Sequence, residues 1–359
     1  MTIADVTSTS GPAPESLGTR IARDFEGAAG LGLVYLGDRL GLFAALREGG
    51  PATADDLAVR TGLVERYVRE WLAGVAAAGY VAYASDTQRF HLTEEQVALF
   101  ADPDNAVFVG ATAQFQLKIL DQADAVAEAF RCGGGVPYSA YGPGVLEGFE
   151  RSSRAKFVNN LVQIWLPAVP DALQALQAGG AMLDVGCGGG AACFVAARAF
   201  PAAQIAGIDT YELGIGRARA GAMATGLDGR VSFRLMNAAD LPDAPIYDLV
   251  TAFDVVHDLA DPVAALRGMR RALKPTGTCL TLDPWAADTL EGNLTAEGKF
   301  LYWASVFYCM TVSLAQGGRG LGTAMGEGQA RALATEAGFT RIRRLPVGED
   351  ADLLLELKP

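Results

Sequence analysis

The residues most able to do chemistry sit near the middle of the chain. The apolar run Met182-Leu-Asp-Val places an acid, Asp184, just before the glycine-dense turn Gly186-Cys-Gly-Gly-Gly. A second apolar run, Gln204-Ile-Ala-Gly-Ile, ends in Asp209. Glycines at that density let backbone approach a ligand at a helix N-terminus, and an acid closing the next strand can accept from a ribose diol. The pair points to an adenosine-containing ligand and leaves its identity open. His257, one of two histidines, follows directly on a further apolar run, Tyr247-Asp-Leu-Val-Thr-Ala-Phe. Strand ends on the carboxyl side are where open α/β sheets hold ligands, and an imidazole there can take a proton near neutral pH. The plainer reading of His257 is a hydrogen-bonder at a helix start. His91, in a short strand, reads as structural.

Those residues need a regular scaffold. From residue 181 onward, strands near 182–185, 204–208, 231–235, 247–253 and 278–282 alternate with helical segments at 192–199, 215–225 and 262–273. That order predicts an α/β fold, a parallel sheet with helices on both faces. Residues 340–347 and 353–357, around Gly348-Glu-Asp, predict a closing hairpin. Gly186, Gly188 and Ala191 also satisfy the dinucleotide fingerprint, so a nicotinamide cofactor competes with other adenosyl ligands. Asp184, two residues before the first glycine, and the third glycine, Gly190, favour an S-adenosyl ligand.

Ahead of the sheet, residues 19–104 predict an α-rich winged-helix domain. Leu33, Leu36, Leu40 and Phe43 recur at helix spacing up to a stop at Gly49-Gly-Pro. Thr53 caps the next helix, a third covers residues 64–72, and two short strands flank a polar tip at residues 85–88. Glu65 and Glu70 offset Arg66 and Arg69 on the would-be recognition helix, so a packing or dimerisation module is favoured over a DNA reader. The net charge of −12, with 41 acids against 29 bases, points the same way. Residues 105–180 predict a helical connector interrupted by a loop at 132–142, where Tyr138 and Tyr141 are candidates for a pocket mouth. The Ser-, Thr- and Pro-rich residues 1–18 predict a frayed N-terminus without signal character. The apolar stretch 31–43 is too short to span a bilayer. Five scattered cysteines suit a reducing cytoplasm, and their spacing gives no metal motif, so no metal is expected.

Together, Asp184-Val-Gly-Cys-Gly-Gly-Gly, Asp209, the segment Val231-Ser-Phe-Arg-Leu-Met-Asn-Ala-Ala-Asp-Leu-Pro and Tyr247-Asp-Leu-Val-Thr-Ala-Phe-Asp-Val-Val-His resemble a class I S-adenosylmethionine-dependent methyltransferase. The fold implied is a Rossmann-like sheet. With the winged helix in front, the chain is similar to actinobacterial-type methyltransferases, whose architecture parallels plant-type small-molecule O-methyltransferases. The resemblance implies S-adenosylmethionine as cofactor over residues 181–359, a small-molecule methyl acceptor, a homodimer, and neither nucleic acid nor membrane as partner. It implies that the turn from Gly186 through Cys187 and Gly188 to Gly190 meets the methionine carboxylate and that Asp184 meets its ammonium. Asp209 and Thr210 then hold the ribose, Asn237 and Ala238 the adenine, and Phe253 and Asp254 flank the methionine. Val256-His-Asp-Leu-Ala-Asp resembles the segment carrying the general base of the plant-type enzymes, with Leu259 in place of an aromatic. That makes His257 the implied base and Asp283 an orienting carboxylate, with Glu327 a weaker match. Residues 284–327, with Trp285, Phe300, Tyr302, Trp303, Phe307 and Tyr308, are expected to cap an acceptor pocket with two or three of these rings, Trp285, Trp303 and Phe307 first among them, giving a small, partly apolar acceptor. Two other classes stay open: a winged-helix regulator sensing S-adenosylmethionine, and an enzyme on the same fold that does not transfer methyl.

Overall fold

The computed structural model describes residues 16–346 and 352–359. The chain divides into two compact units, residues 1–101 and 102–359. In the first, α1 (Leu17–Arg39), α2 (Leu42–Gly49), α3 (Ala54–Thr61) and α4 (Glu65–Ala77) precede the antiparallel pair β1 (Ala82–Ala84) and β2 (Arg89–His91), and α5 (Glu94–Phe100) closes the unit. Thr53 and Thr93 start α3 and α5 with reciprocal capping boxes, each satisfying two orphan donors. One expectation fails here. The helix read as continuous to Gly49 is two, broken at Gly41, which takes φ +68°. Residues 17 and 18, expected to fray, begin α1 under a Ser16 cap. The rest of the segment expected to fray, 1–15, lies outside the described residues.

In the second unit, α6 (Gly110–Leu120), α7 (Ala123–Cys132), α8 (Tyr138–Asn160) and α9 (Pro170–Gln177) lead into the sheet. Helix α8 is broken near its start, where Gly142 takes φ +70° ahead of Pro143. The loop expected over residues 132–142 is therefore shorter, since Tyr138 already opens that helix.

The alternation that follows is β3 (Ala181–Val185), α10 (Ala191–Ala199), β4 (Gln204–Asp209), α11 (Glu212–Ala224), β5 (Val231–Leu235), β6 (Tyr247–Phe253), α12 (Pro262–Ala272) and β7 (Leu273–Pro284). Helices α13 (Ala296–Ala304), α14 (Met310–Ala315) and α15 (Glu327–Glu336) precede β8 (Arg341–Leu345) and β9 (Asp352–Lys358). The seven strands lie in the order β5-β4-β3-β6-β7-β9-β8, with β3 to β7 all parallel and β9 antiparallel to both neighbours. Strands β8 and β9 form the expected antiparallel pair, while the turn at 348–350 lies outside the described residues.

The central strands read as apolar runs because both faces are covered. Met182 and Leu249 pack on one side with Trp165, Leu161 and Leu280, and Leu183 and Val250 on the other with Leu266, Met269 and Leu333. Chain order reverses between β3 and β6, so their carboxyl ends open a crevice at that point. No single helix among the described residues is long and apolar enough to cross a membrane.

Candidate active site

The crevice is a cavity of about 480 Å³. Its floor is the turn after β3. Gly186, Gly188 and Gly190 take φ of +67°, +49° and +83°, the left-handed region open to glycine. A Cβ at Gly186 would meet Val255 Cγ2 at 2.4 Å, and one at Gly190 would meet Phe233 at 2.6 Å. Close packing beneath the turn therefore demands glycine as much as ligand approach does. The Cys187 amide ties the turn to β4 by donating to the Ile208 carbonyl at 3.1 Å.

The two acids at the strand ends differ in their partners. Asp209 accepts from the Gly188 amide at 2.9 Å through one oxygen and from the Tyr211 amide at 2.8 Å through the other. Each oxygen keeps a lone pair, so a diol can still be held. Burial raises the Asp209 pKa, and amides of Tyr211, Gly188 and Thr210 oppose that rise. Asp184 is 3 % exposed and accepts from Thr251 Oγ1 at 2.6 Å and Cys193 Sγ at 3.8 Å. Burial pushes it up to about 7, with those two donors opposing. It is a buried acid with neutral donors around it, which a ligand cation would complete.

Further round the wall, Asn237 also lines the cavity. Its Oδ1 accepts the Ala239 amide at 2.9 Å, which caps the one-turn helix Ala238–Asp240, and it keeps a second lone pair. That turn is pressed on α12, where a Cβ at Gly268 would meet the Ala238 carbonyl at 1.9 Å. Phe253 packs against Phe157 and Trp165, both at 5.3 Å between ring centroids. Asp254 takes φ +57°, a left-handed conformation rare outside glycine. Its carboxylate lies 3.6 Å from Lys156 Nζ, which also pairs with Asp352 at 2.9 Å. Burial disfavours the Lys156 charge, but the two aspartates outweigh it and raise its pKa. Lys156 lines the cavity, and no motif in the sequence announced it.

His257 lies on the single turn Val256–Asp258 and is 3 % exposed. Its Nδ1 is 2.6 Å from Asp283 Oδ1, and its backbone amide donates to the same oxygen at 3.2 Å. Strand β7 ends beside β6, so one carboxylate fixes both the ring and the turn. Burial works against the imidazolium, but Cys309, Asp283 and Asp258 outweigh it and hold the ring above the ordinary histidine value. Asp258, also buried, accepts from Tyr138 Oη at 2.8 Å. Burial pushes its carboxyl up to about 6, against the pull of His257 and Tyr138. Glu327 is elsewhere, paired with Arg331 at 2.7 Å and Arg344 at 3.3 Å.

The aromatic wall also departs from expectation. Tyr138 and Tyr141 line the cavity, whereas Trp285, Trp303 and Phe307 do not. Trp303 stacks on Phe300 at 5.7 Å and meets Phe307 at 5.9 Å, so these rings pack on one another, while Trp285 is 37 % exposed. Of the six aromatics expected in residues 284–327, Phe300 lines the cavity, and so does Tyr308. The Tyr308 ring lies 4.8 Å from Tyr141, 4.9 Å from Phe149 and 5.7 Å from Tyr138. A π-helical turn, Ser305–Cys309, shifts the helix register and sets Tyr308 and Cys309 on the cavity side. Asp283 stands behind His257, and Gly190 behind the turn. The remaining expected residues, Cys187, Thr210 and Ala238 among them, reach the wall.

Residues 176–338 match the family described as a methyltransferase domain, and residues 28–101 match an Rv2258c-like winged HTH domain. The chain thus carries a methyltransferase domain behind a winged HTH domain. Among the curated relatives of this chain is the ubiquinone biosynthesis O-methyltransferase of Cereibacter sphaeroides, 38 % identical over 105 residues. That match covers 28 % of this chain and 41 % of the relative. Methyltransferase GfsG of Streptomyces halstedii is 32 % identical over 123 residues, 34 % of this chain and 44 % of the relative. The chain thus spans about half the length of the curated relatives it matches. Solved structures agree in fold over nearly the whole length. Human N-acetylserotonin methyltransferase in complex with SAM has TM-score 0.69 at 17 % identity, covering 97 % of this chain and 99 % of that one. PigF with SAH has TM-score 0.72 at 18 % identity, covering 96 % and 100 %. Both of these solved neighbours hold an S-adenosyl ligand, SAM in one and SAH in the other. The left-handed glycines, the buried Asp184 that lacks a cation, and the Asp209 oxygens with lone pairs to spare all fit such a ligand.

Proposed function

We propose that the chain transfers a methyl group from S-adenosylmethionine to a small, partly apolar acceptor held against Tyr138, Tyr141 and Tyr308, with His257 taking the acceptor's proton. The observation that carries this reading is the His257–Asp283 pair at 2.6 Å, on the same cavity as the glycine turn and Asp209. The cofactor supplies an electrophilic methyl on a sulfonium. The protein supplies position, dryness and a proton acceptor.

Each residue has a task that follows from its surroundings. Asp209 accepts from the ribose hydroxyls, the amides of the 186–190 turn face the ligand's carboxylate, and Asp184 pairs with its ammonium. The turn at Asn237 and Ala238 offers adenine backbone contacts, and Asn237 Oδ1 keeps a lone pair for its amine beside the cap. Lys156 holds Asp254, and with it the backbone beside the methionine portion. Asp283 accepts from Nδ1–H, which leaves Nε2 as the basic atom. A hydroxyl or protonated amine needs such a base, and a thioether or tertiary amine does not. The oriented base therefore favours an acceptor that arrives with a proton. The winged helix serves to pair two copies of the chain in this reading.

A radiolabelled methyl-transfer screen over phenols, amines, thiols and thioethers tests it. Label should pass to protic acceptors, and thioethers should gain nothing from His257. Tight cofactor binding with no label passed to any acceptor would reject the reading in favour of a sensor or a non-methylating enzyme.

A further inference from the structure

His257, Asp258 and Cys309 bring three different donor types together on the cavity wall. Cys309 is far from the other two in sequence and reaches them because the π-helical turn Ser305–Cys309 ends there. A ring nitrogen, a carboxylate oxygen and the thiol sulfur lie within 4.8 Å of one another. Two of the three are already oriented from behind. Asp283 engages His257 Nδ1 at 2.6 Å, which leaves Nε2 as the ring's open ligand atom, and Tyr138 donates to Asp258 Oδ2 at 2.8 Å. A carboxylate on the far nitrogen is the arrangement that fixes the tautomer and raises the basicity of a metal-bound histidine.

The donor set selects the ion. One imidazole nitrogen, one thiolate and one carboxylate suit a borderline-soft divalent cation and discriminate against magnesium and calcium, which take oxygen ligands. A tetrahedral zinc centre places such donors about 3.5 Å apart, so the side chains must close by on the order of 1 Å, within reach of rotamer adjustment. With three protein ligands the fourth position faces the cavity, the pattern of an open rather than a purely structural site.

We propose that His257, Cys309 and Asp258 bind one thiophilic divalent cation of the zinc class, with its fourth coordination position open to the cavity. The site stands whether or not His257 serves as a base. Binding releases the thiol proton of Cys309, and the Nε2 proton wherever the ring carries one, to solvent and commits the Nε2 lone pair to the ion. Where His257 also acts as base, the bound ion silences it.

Cobalt(II), added to the full-length protein, reads the site directly. One equivalent should bind, with tetrahedral visible bands and an intense thiolate-to-cobalt charge-transfer band in the near ultraviolet. Zinc should erase both. Cys309→Ser should abolish the charge-transfer band, Asp258→Asn should keep it while weakening binding at least about tenfold, and Cys132→Ser at the exposed cysteine should leave it intact. Wild-type protein without a charge-transfer band overturns the proposal. So does a band that survives Cys309→Ser or disappears in Cys132→Ser.

Discussion

At the scale of single residues, His257 must give up a proton before it can accept one. Its surroundings hold the ring above the ordinary histidine value of 6.5. A base works only when neutral, so kcat/KM should climb with pH on the alkaline side of that value. Asp283→Asn removes one of the groups raising the ring, so the climb should move to lower pH. A rise centred at or below 6.5 in the wild type would contradict this. Replacing His257 with Ala should slow turnover by roughly 10²–10⁴ on a protic acceptor while leaving cofactor affinity alone. A near-native rate would assign the ring a structural role. Asp184 must also lose a proton to act, though it gains a charge where His257 loses one. Its folded carboxyl stands near 7, far above the unfolded value, so below that pH it is neutral and cannot pair with an ammonium. Cofactor affinity should therefore rise with pH toward 7, approaching tenfold per unit on the acid side. Asp184→Asn should flatten that dependence, and calorimetry from about pH 5 to 7 would show it.

At the scale of elements, the decisive contacts are those made behind the ligand. Strand β3, its glycine turn and the acid ending β4 were legible because they are continuous in sequence and each residue type has one strong reason for its place. Asp283 was legible because the resemblance implies a carboxylate that orients His257 and Asp283 falls at the end of a strand. Lys156, Asp258 and Cys309 were not, because each reaches the wall through a tertiary accident: a broken helix, a one-turn helix, a π-helical turn. The aromatics of residues 284–327 misled for a similar reason. Their number said that a pocket could be lined but not which rings would face it: Phe300 and Tyr308 do, and Trp303 and Phe307 do not. Gly268 on α12 supports the turn at Ala238, where an added Cβ would meet the carbonyl at 1.9 Å. Gly268→Ala should cost about 1–3 kcal/mol of stability by overpacking. It should also weaken cofactor binding by displacing the adenine-side turn. Unchanged melting and unchanged affinity together would refute the contact.

At the scale of the molecule, charge and fold argue together. The net charge of −12 repels duplex phosphate. On α4, Arg69 pairs with Glu65 at 2.6 Å and Arg66 pairs with Glu70, so the helix that would read DNA has its cations engaged. A gel shift at low salt should show no tight, salt-sensitive retention of random duplex, and such retention would revive the regulator reading. The central claim is narrower: the crevice at the β3–β6 reversal holds an S-adenosyl ligand by its ribose on Asp209. Titration calorimetry tests it most directly. S-adenosylmethionine should bind the wild type, nicotinamide dinucleotide should not, and Asp209→Ala should lose about 1–3 kcal/mol of binding free energy. Binding of the dinucleotide in place of the S-adenosyl ligand, or an affinity indifferent to Asp209, would contradict the account.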